Sequence, residues 1–201
     1  MRTNPSQIRL LVLDVDGTLT DGGIYITEQG DEFKKYNAKD GMAIKRLIRK
    51  GLPVAFISAS HSIETVRKRA RMLGVEYCYV GQEPKTQILE GWMETLGIHY
   101  GEILFMGDDI NDLEVMQKSG LSACPSDASP PIREVADNVL ERKGGDACFR
   151  ELVDRFFTIS YERALSIHNF YGAYWHWLSR LLYTYLIFGV PRKFTSVTTN
   201  S

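Results

Sequence analysis

The stretch LLVLDVDGTLTDGG, residues 10 to 23, runs an apolar segment straight into two acids placed two positions apart, Asp14 and Asp16. On an extended segment, side chains two apart point the same way, while the intervening Val15 points oppositely into packing. Two carboxylates then face one small volume, where they repel unless a cation, a shared proton or hydrogen-bond donors compensate. Any strand can end in a polar turn, so the pair takes its meaning from what else the chain brings to the same place. Three further features fall at or just after β-like segments: Ser58 after PVAFI, Lys85 after YCYV, and GDDIND, residues 107 to 112, after ILFM. Asp14, Asp16 and Asp108 form an oxygen-rich set with no His or Cys near it in sequence, which suits a hard cation such as Mg²⁺ better than Zn²⁺. Ser58 adds a hydroxyl donor, Lys85 a fixed positive charge, and Gly17 and Thr18 backbone N–H groups in a turn. Together these are the parts of a phosphoryl-transfer site, in which cations neutralise the oxygens while a nearby nucleophile attacks in line. Acyl transfer fits poorly, because no GxSxG elbow is present and His61, His99, His168 and His176 lack the setting of a triad base.

The elements that must position these groups alternate. Short β-like runs at Ile8 to Leu13, Pro53 to Ile57, Tyr77 to Val80, Ile103 to Met106, Leu121 to Ala123 and Asn138 to Leu140 are separated by helical periodicity. That periodicity is clearest at Gly41 to Arg49, Ser62 to Leu73, Lys85 to Leu96, Asp112 to Lys118 and Ile132 to Ala136. The pattern predicts an α/β fold with a mainly parallel sheet of five or six strands flanked by helices. Consecutive parallel strands deliver their C-terminal ends to one rim, so acids almost a hundred positions apart would converge. GGIYITEQGDEFKKY, residues 22 to 36, breaks the rhythm: two alternating segments around Gly30 predict a β-hairpin over the end of the first strand. No other insertion is large enough for a lid domain, so the site should be open unless another subunit closes it.

The 201 residues suit one core domain with an appendage, and a net charge of −1 offers no basic field for extended nucleic-acid binding. Cys78, Cys124 and Cys148 are odd in number and widely spaced, as expected of core residues in a reducing cytoplasm rather than of a disulfide framework. The apolar run near the start stops at Asp14, too soon for a signal peptide. The chain is therefore expected to divide into a domain over residues 1–157 and an aromatic-rich helical extension over 158–201. The extension concentrates Trp175, Trp177, Tyr183, Tyr185 and Phe188, but its run from Trp175 to Val190 is interrupted by Arg180 and falls short of a bilayer span. Docking on the core or on another subunit is the favoured expectation, with interfacial membrane contact as the alternative.

DVDGTLT, the Ser58 of FISAS, Lys85 and GDDIND resemble, in order, the four motifs of the haloacid dehalogenase superfamily of phosphatases, over residues 8 to about 155. The hairpin in place of a cap domain, with YNAKDGMAI, GQEPK and KGGDACFRE, resembles the subfamily that dephosphorylates 2-keto-3-deoxy sugar acids. The members compared are the 3-deoxy-D-manno-octulosonate 8-phosphate phosphatases and their nine-carbon neuraminate and KDN 9-phosphate relatives.

The resemblance implies a Rossmann-like fold and Mg²⁺ as cofactor; a homotetramer is expected because the open site lacks a wall that a neighbour's hairpin or tail could supply. It also implies an aspartyl-phosphate on Asp14, with Asp16 as general acid and then base. Ser58 and Lys85 would bind the phosphoryl group, and Asp14, Asp108 and the backbone carbonyl of Asp16 the metal. Asp109 and Asp112 would be supports, Asp112 serving equally well to complement a helix dipole. Gly17, Thr18 and Ala59 would line the substrate, with Lys39 and Arg69 as candidate carboxylate binders. Two positions depart from the octulosonate pattern: Ser60 and Asp146 stand where that pattern has arginine, and Asp146 looks more like the nine-carbon branch. Alternatives to an octulosonate 8-phosphate phosphatase are thus a 9-phosphate or broad sugar-phosphate phosphatase and, outside enzymes, a scaffold or membrane-associated partner protein.

Overall fold

A computed structural model describes residues 3–61 and 63–157. The expected tail helix, its docking and its membrane contact lie outside the described residues. In chain order the elements are β1 (Leu10–Leu13), β2 (Tyr25–Ile26), β3 (Glu32–Phe33), α1 (Ala38–Arg49), β4 (Val54–Ser58), α2 (Ile63–Leu73), β5 (Tyr77–Val80), α3 (Lys85–Leu96), β6 (Ile103–Met106), α4 (Leu113–Lys118), β7 (Leu121–Cys124), α5 (Pro130–Val135), β8 (Asn138–Val139) and α6 (Cys148–Phe156). The main sheet has six strands in the order β5-β4-β1-β6-β7-β8, all parallel. β2 and β3 form the separate antiparallel hairpin that the sequence predicts.

Strand alternation builds two apolar layers. Leu11 and Leu13 of β1, Phe56 of β4 and Met106 of β6 face α1, α2 and α6, meeting Ile44, Val66 and Phe149. Leu10 and Val12, with Ile57 and Phe105, face α3, α4 and α5, meeting Leu89, Met116 and Ile132. Both faces of β1 are buried, so its residues form a continuous apolar run, as expected of a central parallel strand covered by helices on both sides. After β1 the chain moves outward through β4 and β5, then returns to place β6 on the other side of β1. The switch in direction opens a crevice at the C-terminal ends of β1 and β6, where doubly wound sheets bind ligands.

The last helix is tied back by a buried acid. Asp40 in α1 accepts a 2.7 Å hydrogen bond from the Arg150 N–H at the start of α6, while its Oδ2 is buried with no hydrogen-bond partner. Burial pushes the Asp40 carboxyl up to about 6, against the opposing pull of the Arg150 N–H and of Arg69. An acid raised in the folded state binds its proton more tightly there than in the unfolded chain. Its contribution to stability is therefore present at low pH and is lost as pH rises from about 4 to about 6. The loss at neutral pH amounts to roughly 2–3 kcal/mol. Asp40→Asn should accordingly raise the thermal midpoint at pH 7.5 and leave it close to that of the unaltered protein at pH 4. A gap of equal size at both pH values in thermal denaturation would contradict this.

Candidate active site

Three neighbouring strands bring the acids together. Asp14 follows β1 directly, and its N–H donates to the Met106 carbonyl at the end of β6, which fixes it beside Asp108 two residues further on. Ser58 ends β4 on the other side of β1, and Lys85 opens α3 after β5. A lysine in the first turn of a helix opposes the helix dipole. Lys85 is nevertheless buried there, with Nζ 2.5 Å from Asp14 Oδ1 and 2.6 Å from Asp112 Oδ1. Asp112 Oδ2 in turn accepts the N–H groups of Asp108 and Asp109. Asp112 is fully buried; its carboxylate accepts N–H groups at the start of the short 3-10 turn that leads into α4, and it also locks the GDDIND loop onto the lysine. Asp109 lines the pocket while its side chain accepts from the Ile110 N–H, capping the turn that carries Asp112.

Carboxylate oxygens of Asp14, Asp108 and Asp112 lie within 4.8 Å of one another. Burial pushes the Asp14 carboxyl well above its ordinary range; Lys85 opposes this, and Asp112 and Asp108 add to it. Asp108 is pushed up to about 7, again by burial first, with Thr18 opposing and Asp112 adding. Burial also pulls the Lys85 ammonium down, but Asp14 and Asp112 outweigh it and hold the proton more tightly than in a free lysine. Three acids around a single ammonium leave excess negative charge in a desolvated place. With only oxygen donors at hand, that environment fits a hard divalent cation. Asp14 and Asp108 would be its carboxylate ligands, since both oxygens of Asp112 are engaged.

Close backbone approach shapes the rest. Gly17 has φ +87°, and a Cβ there would fall 2.0 Å from Asp108 Oδ2. Thr18 is fully buried and its Oγ1 donates to Asp108 Oδ1 at 2.7 Å, so its side chain serves the acid rather than the open pocket. Gly144 packs against the same turn, where a Cβ would meet the Gly17 carbonyl oxygen at 1.8 Å. Gly145 has φ +67°, and a Cβ there would fall 2.5 Å from the Asp21 backbone nitrogen, so both glycines of KGGD are needed.

Above the acids lies an open pocket of about 290 Å³, with Asp14, Asp16, Ala59, Ser60 and Asp108 in its walls. Ser58 Oγ donates to Asp16 Oδ2 at 3.2 Å. The Asp16 carboxylate turns away from the three-acid group toward the hairpin, where Lys34 Nζ lies 2.5 Å from its Oδ1. Burial lowers the Lys34 ammonium's proton affinity, but Asp16 and then Glu32 more than restore it. Lys34 is the residue that sequence reasoning missed: the lysine pair after the second hairpin strand was a usable signal, but only the fold shows which lysine turns inward.

Two of the expected substrate contacts lie elsewhere in the single chain. Lys39 is exposed at the start of α1 and lines a different surface pocket with Arg142, Arg150 and Arg155. Arg69 stacks over the Tyr36 ring and donates to the Asn37 carbonyl, bracing α2 against the start of α1. Neither side chain lines the acidic pocket of the single chain, because α1 and α2 present these positions away from its mouth. Asp146 also lies apart from it, 3.8 Å from Arg142. The three cysteines are free, and among the described residues no helix is long and apolar enough to cross a membrane.

Parallel strands that gather acids, a hydroxyl and a lysine around the end of β1 define a phosphatase of the haloacid dehalogenase class. Residues 38–120 match the haloacid dehalogenase-like hydrolase family, and the chain belongs to that family. The 3-deoxy-D-manno-octulosonate 8-phosphate phosphatase of Salmonella typhi is 38% identical over 152 residues, which are 76% of this chain and 80% of that protein. A crystal structure of the phosphatase of that name from Yersinia pestis superposes with a TM-score of 0.72 at 37% identity, covering 75% of this chain and 80% of the other. The Moraxella catarrhalis phosphatase of that name, solved with magnesium, phosphate and KDO, gives a TM-score of 0.75 at 29% identity, covering 83% of this chain and 95% of the other.

Because Thr18 fixes Asp108 by a single charge-assisted hydrogen bond, Thr18→Val should weaken divalent-cation affinity by roughly 10–100-fold. Calorimetric titration with Mg²⁺ reads this directly, and unchanged affinity in a folded variant would contradict it.

Proposed function

We propose that this phosphatase hydrolyses 3-deoxy-D-manno-octulosonate 8-phosphate in a Mg²⁺-dependent reaction through an aspartyl-phosphate on Asp14. The observation that carries the reading is the placement of Asp14, with Lys85 at 2.5 Å, beside Asp108 in the β1/β6 crevice. Asp14 attacks phosphorus as the bond to the sugar oxygen breaks, and Asp16 gives that oxygen its proton. Asp16 then takes a proton from water as the water attacks the aspartyl-phosphate, freeing phosphate and restoring Asp14. Ser58 and Lys85 donate hydrogen bonds to the phosphoryl oxygens, and Asp109 and Asp112 hold the loop that carries Asp108. Asp14, Asp108 and the Asp16 backbone carbonyl would hold Mg²⁺, which would supply charge neutralisation on those oxygens.

The relatives support the choice of substrate, and the magnesium in the Moraxella catarrhalis structure supports the choice of cation. A 9-phosphate substrate of neuraminate or KDN type is the second reading. The observation favouring it is Asp146, an acid where the octulosonate pattern has arginine, as in the nine-carbon branch, while Ser60 puts a short neutral side chain in the pocket wall. Comparing kcat/KM for the two ester classes separates them.

We also infer that residues 1–157 form the catalytic domain and that the enzyme works in the cytoplasm, where its three free thiols stay reduced. A homotetramer is supported by the hairpin, which exposes Ile24 at 70% and Ile26 at 67% beside the pocket. Light scattering tests the assembly, and an active monomer would rule it out.

Phosphate release from the octulosonate ester should require Mg²⁺ and stop with chelator. In Asp14→Asn it should fall at least about a thousandfold with the fold retained. Turnover that survives either change would refute the mechanism.

A further inference from the structure

Among the described residues, Lys34 is the one lysine or arginine lining the acidic pocket, whose walls carry Asp14, Asp16, Glu32, Asp108 and Asp109. Its side chain is only 4% exposed, and Nζ sits 2.5 Å from Asp16 Oδ1 and 3.1 Å from a Glu32 oxygen. Asp16 Oδ2 accepts from Ser58. Both oxygens of Asp16 are therefore engaged within the protein, and an oxygen shared with an ammonium at this distance is not available to a leaving group. For Asp16 to reach a substrate oxygen, the Lys34 contact has to open. A buried ammonium that loses one of its carboxylates is strongly disfavoured unless another anion takes the vacated place. Lys85 does not compete for that anion, because it lies beneath Asp14 and Asp112, where its remaining N–H serves the phosphoryl group. The two ammonium groups thus mark separate places, one under the nucleophile and one on the hairpin wall.

We propose that Lys34 exchanges partners: it holds Asp16 in the resting protein, and a carboxylate carried by the sugar phosphate displaces Asp16 from it. Recognition of the acid group and release of Asp16 become one event, in which the freed carboxylate takes up a proton from solvent and carries it to the leaving oxygen. The inference rests on the phosphomonoesterase reading above and adds to it a residue that selects acidic sugar phosphates by raising their turnover as well as their binding. A phosphate ester without a carboxylate leaves Asp16 on Lys34 and is disfavoured in kcat, not only in KM. The hairpin is then a part of the specificity apparatus, since the sensing group stands just beyond its second strand.

The test compares two esters on the full chain with Mg²⁺ present: 3-deoxy-D-manno-octulosonate 8-phosphate and a neutral sugar phosphate of similar size. In the unaltered protein, kcat/KM should favour the carboxylate-bearing ester at least tenfold, with part of the difference in kcat. Lys34→Met should reduce that ratio at least tenfold, and Lys34→Arg should hold it within threefold of the starting value. Equal kcat for the two esters in the unaltered protein overturns the proposal without need of a variant. A Lys34→Met protein that loses activity equally on both esters overturns it too, since that is the signature of a merely structural lysine. If neither ester is hydrolysed by the unaltered protein, the phosphomonoesterase reading itself fails, an outcome distinct from hydrolysis without discrimination.

Discussion

Lys85 holds Asp14 and Asp112 at 2.5 and 2.6 Å in a place almost closed to water, with Asp108 drawn into the same cluster. One ammonium among three acids is an unfinished balance of charge. It keeps the carboxylates close without neutralising them, so their mutual repulsion adds to burial in pushing Asp14 and Asp108 upward. A purely structural ion pair has no need of the extra acid. The surplus has to be met by something that arrives, and a divalent cation together with a phosphoryl group brings charge of both signs to that spot.

The fold serves this cluster in particular ways. β4, β1 and β6 lie side by side, so Ser58, Asp14 and Asp108 emerge along one rim, and α3 begins where its first residue can pass beneath Asp14. Gly17 and Gly144 remove the two Cβ atoms that would keep the DGT turn from Asp108 and the KGGD segment from the turn. Thr18 then closes the gap with a hydrogen bond. The apolar layers on both sides of β1 hold its backbone in place, which makes a stiff base for groups that repel one another. The hairpin is a different kind of element, paired only with itself and tied to the site through Lys34 and Asp16.

Much of this was legible in the chain. The six β-like runs all became strands, with small shifts: Ile8 and Arg9 fall before β1, Pro53 before β4 and Leu140 after β8, and Ser58 and Cys124 extend β4 and β7. α1 starts at Ala38 rather than Gly41, because Asn37 accepts from the Lys39 N–H and caps the helix earlier than the apolar periodicity begins. Asp14, Asp108 and Lys85 could be placed together because parallel strands share a rim, a rule that needs only the order of elements. Side-chain direction at helix starts and in the hairpin carried no such rule. Lys39 and Arg69 turned to the surface and to Tyr36, and the inward turn of Lys34 depends on hairpin twist that composition does not encode.

The central claim is that this cluster exists to receive a phosphoryl group on Asp14. The most direct measurement quenches the protein during turnover, reduces it with borohydride and maps the peptides by mass spectrometry. An acyl phosphate is reduced to the alcohol whereas a free carboxylate is not, so Asp14 should be recovered as homoserine only in samples given both substrate and Mg²⁺. Steady phosphate release with Asp14 unmodified, or with the label on another acid, would contradict the account.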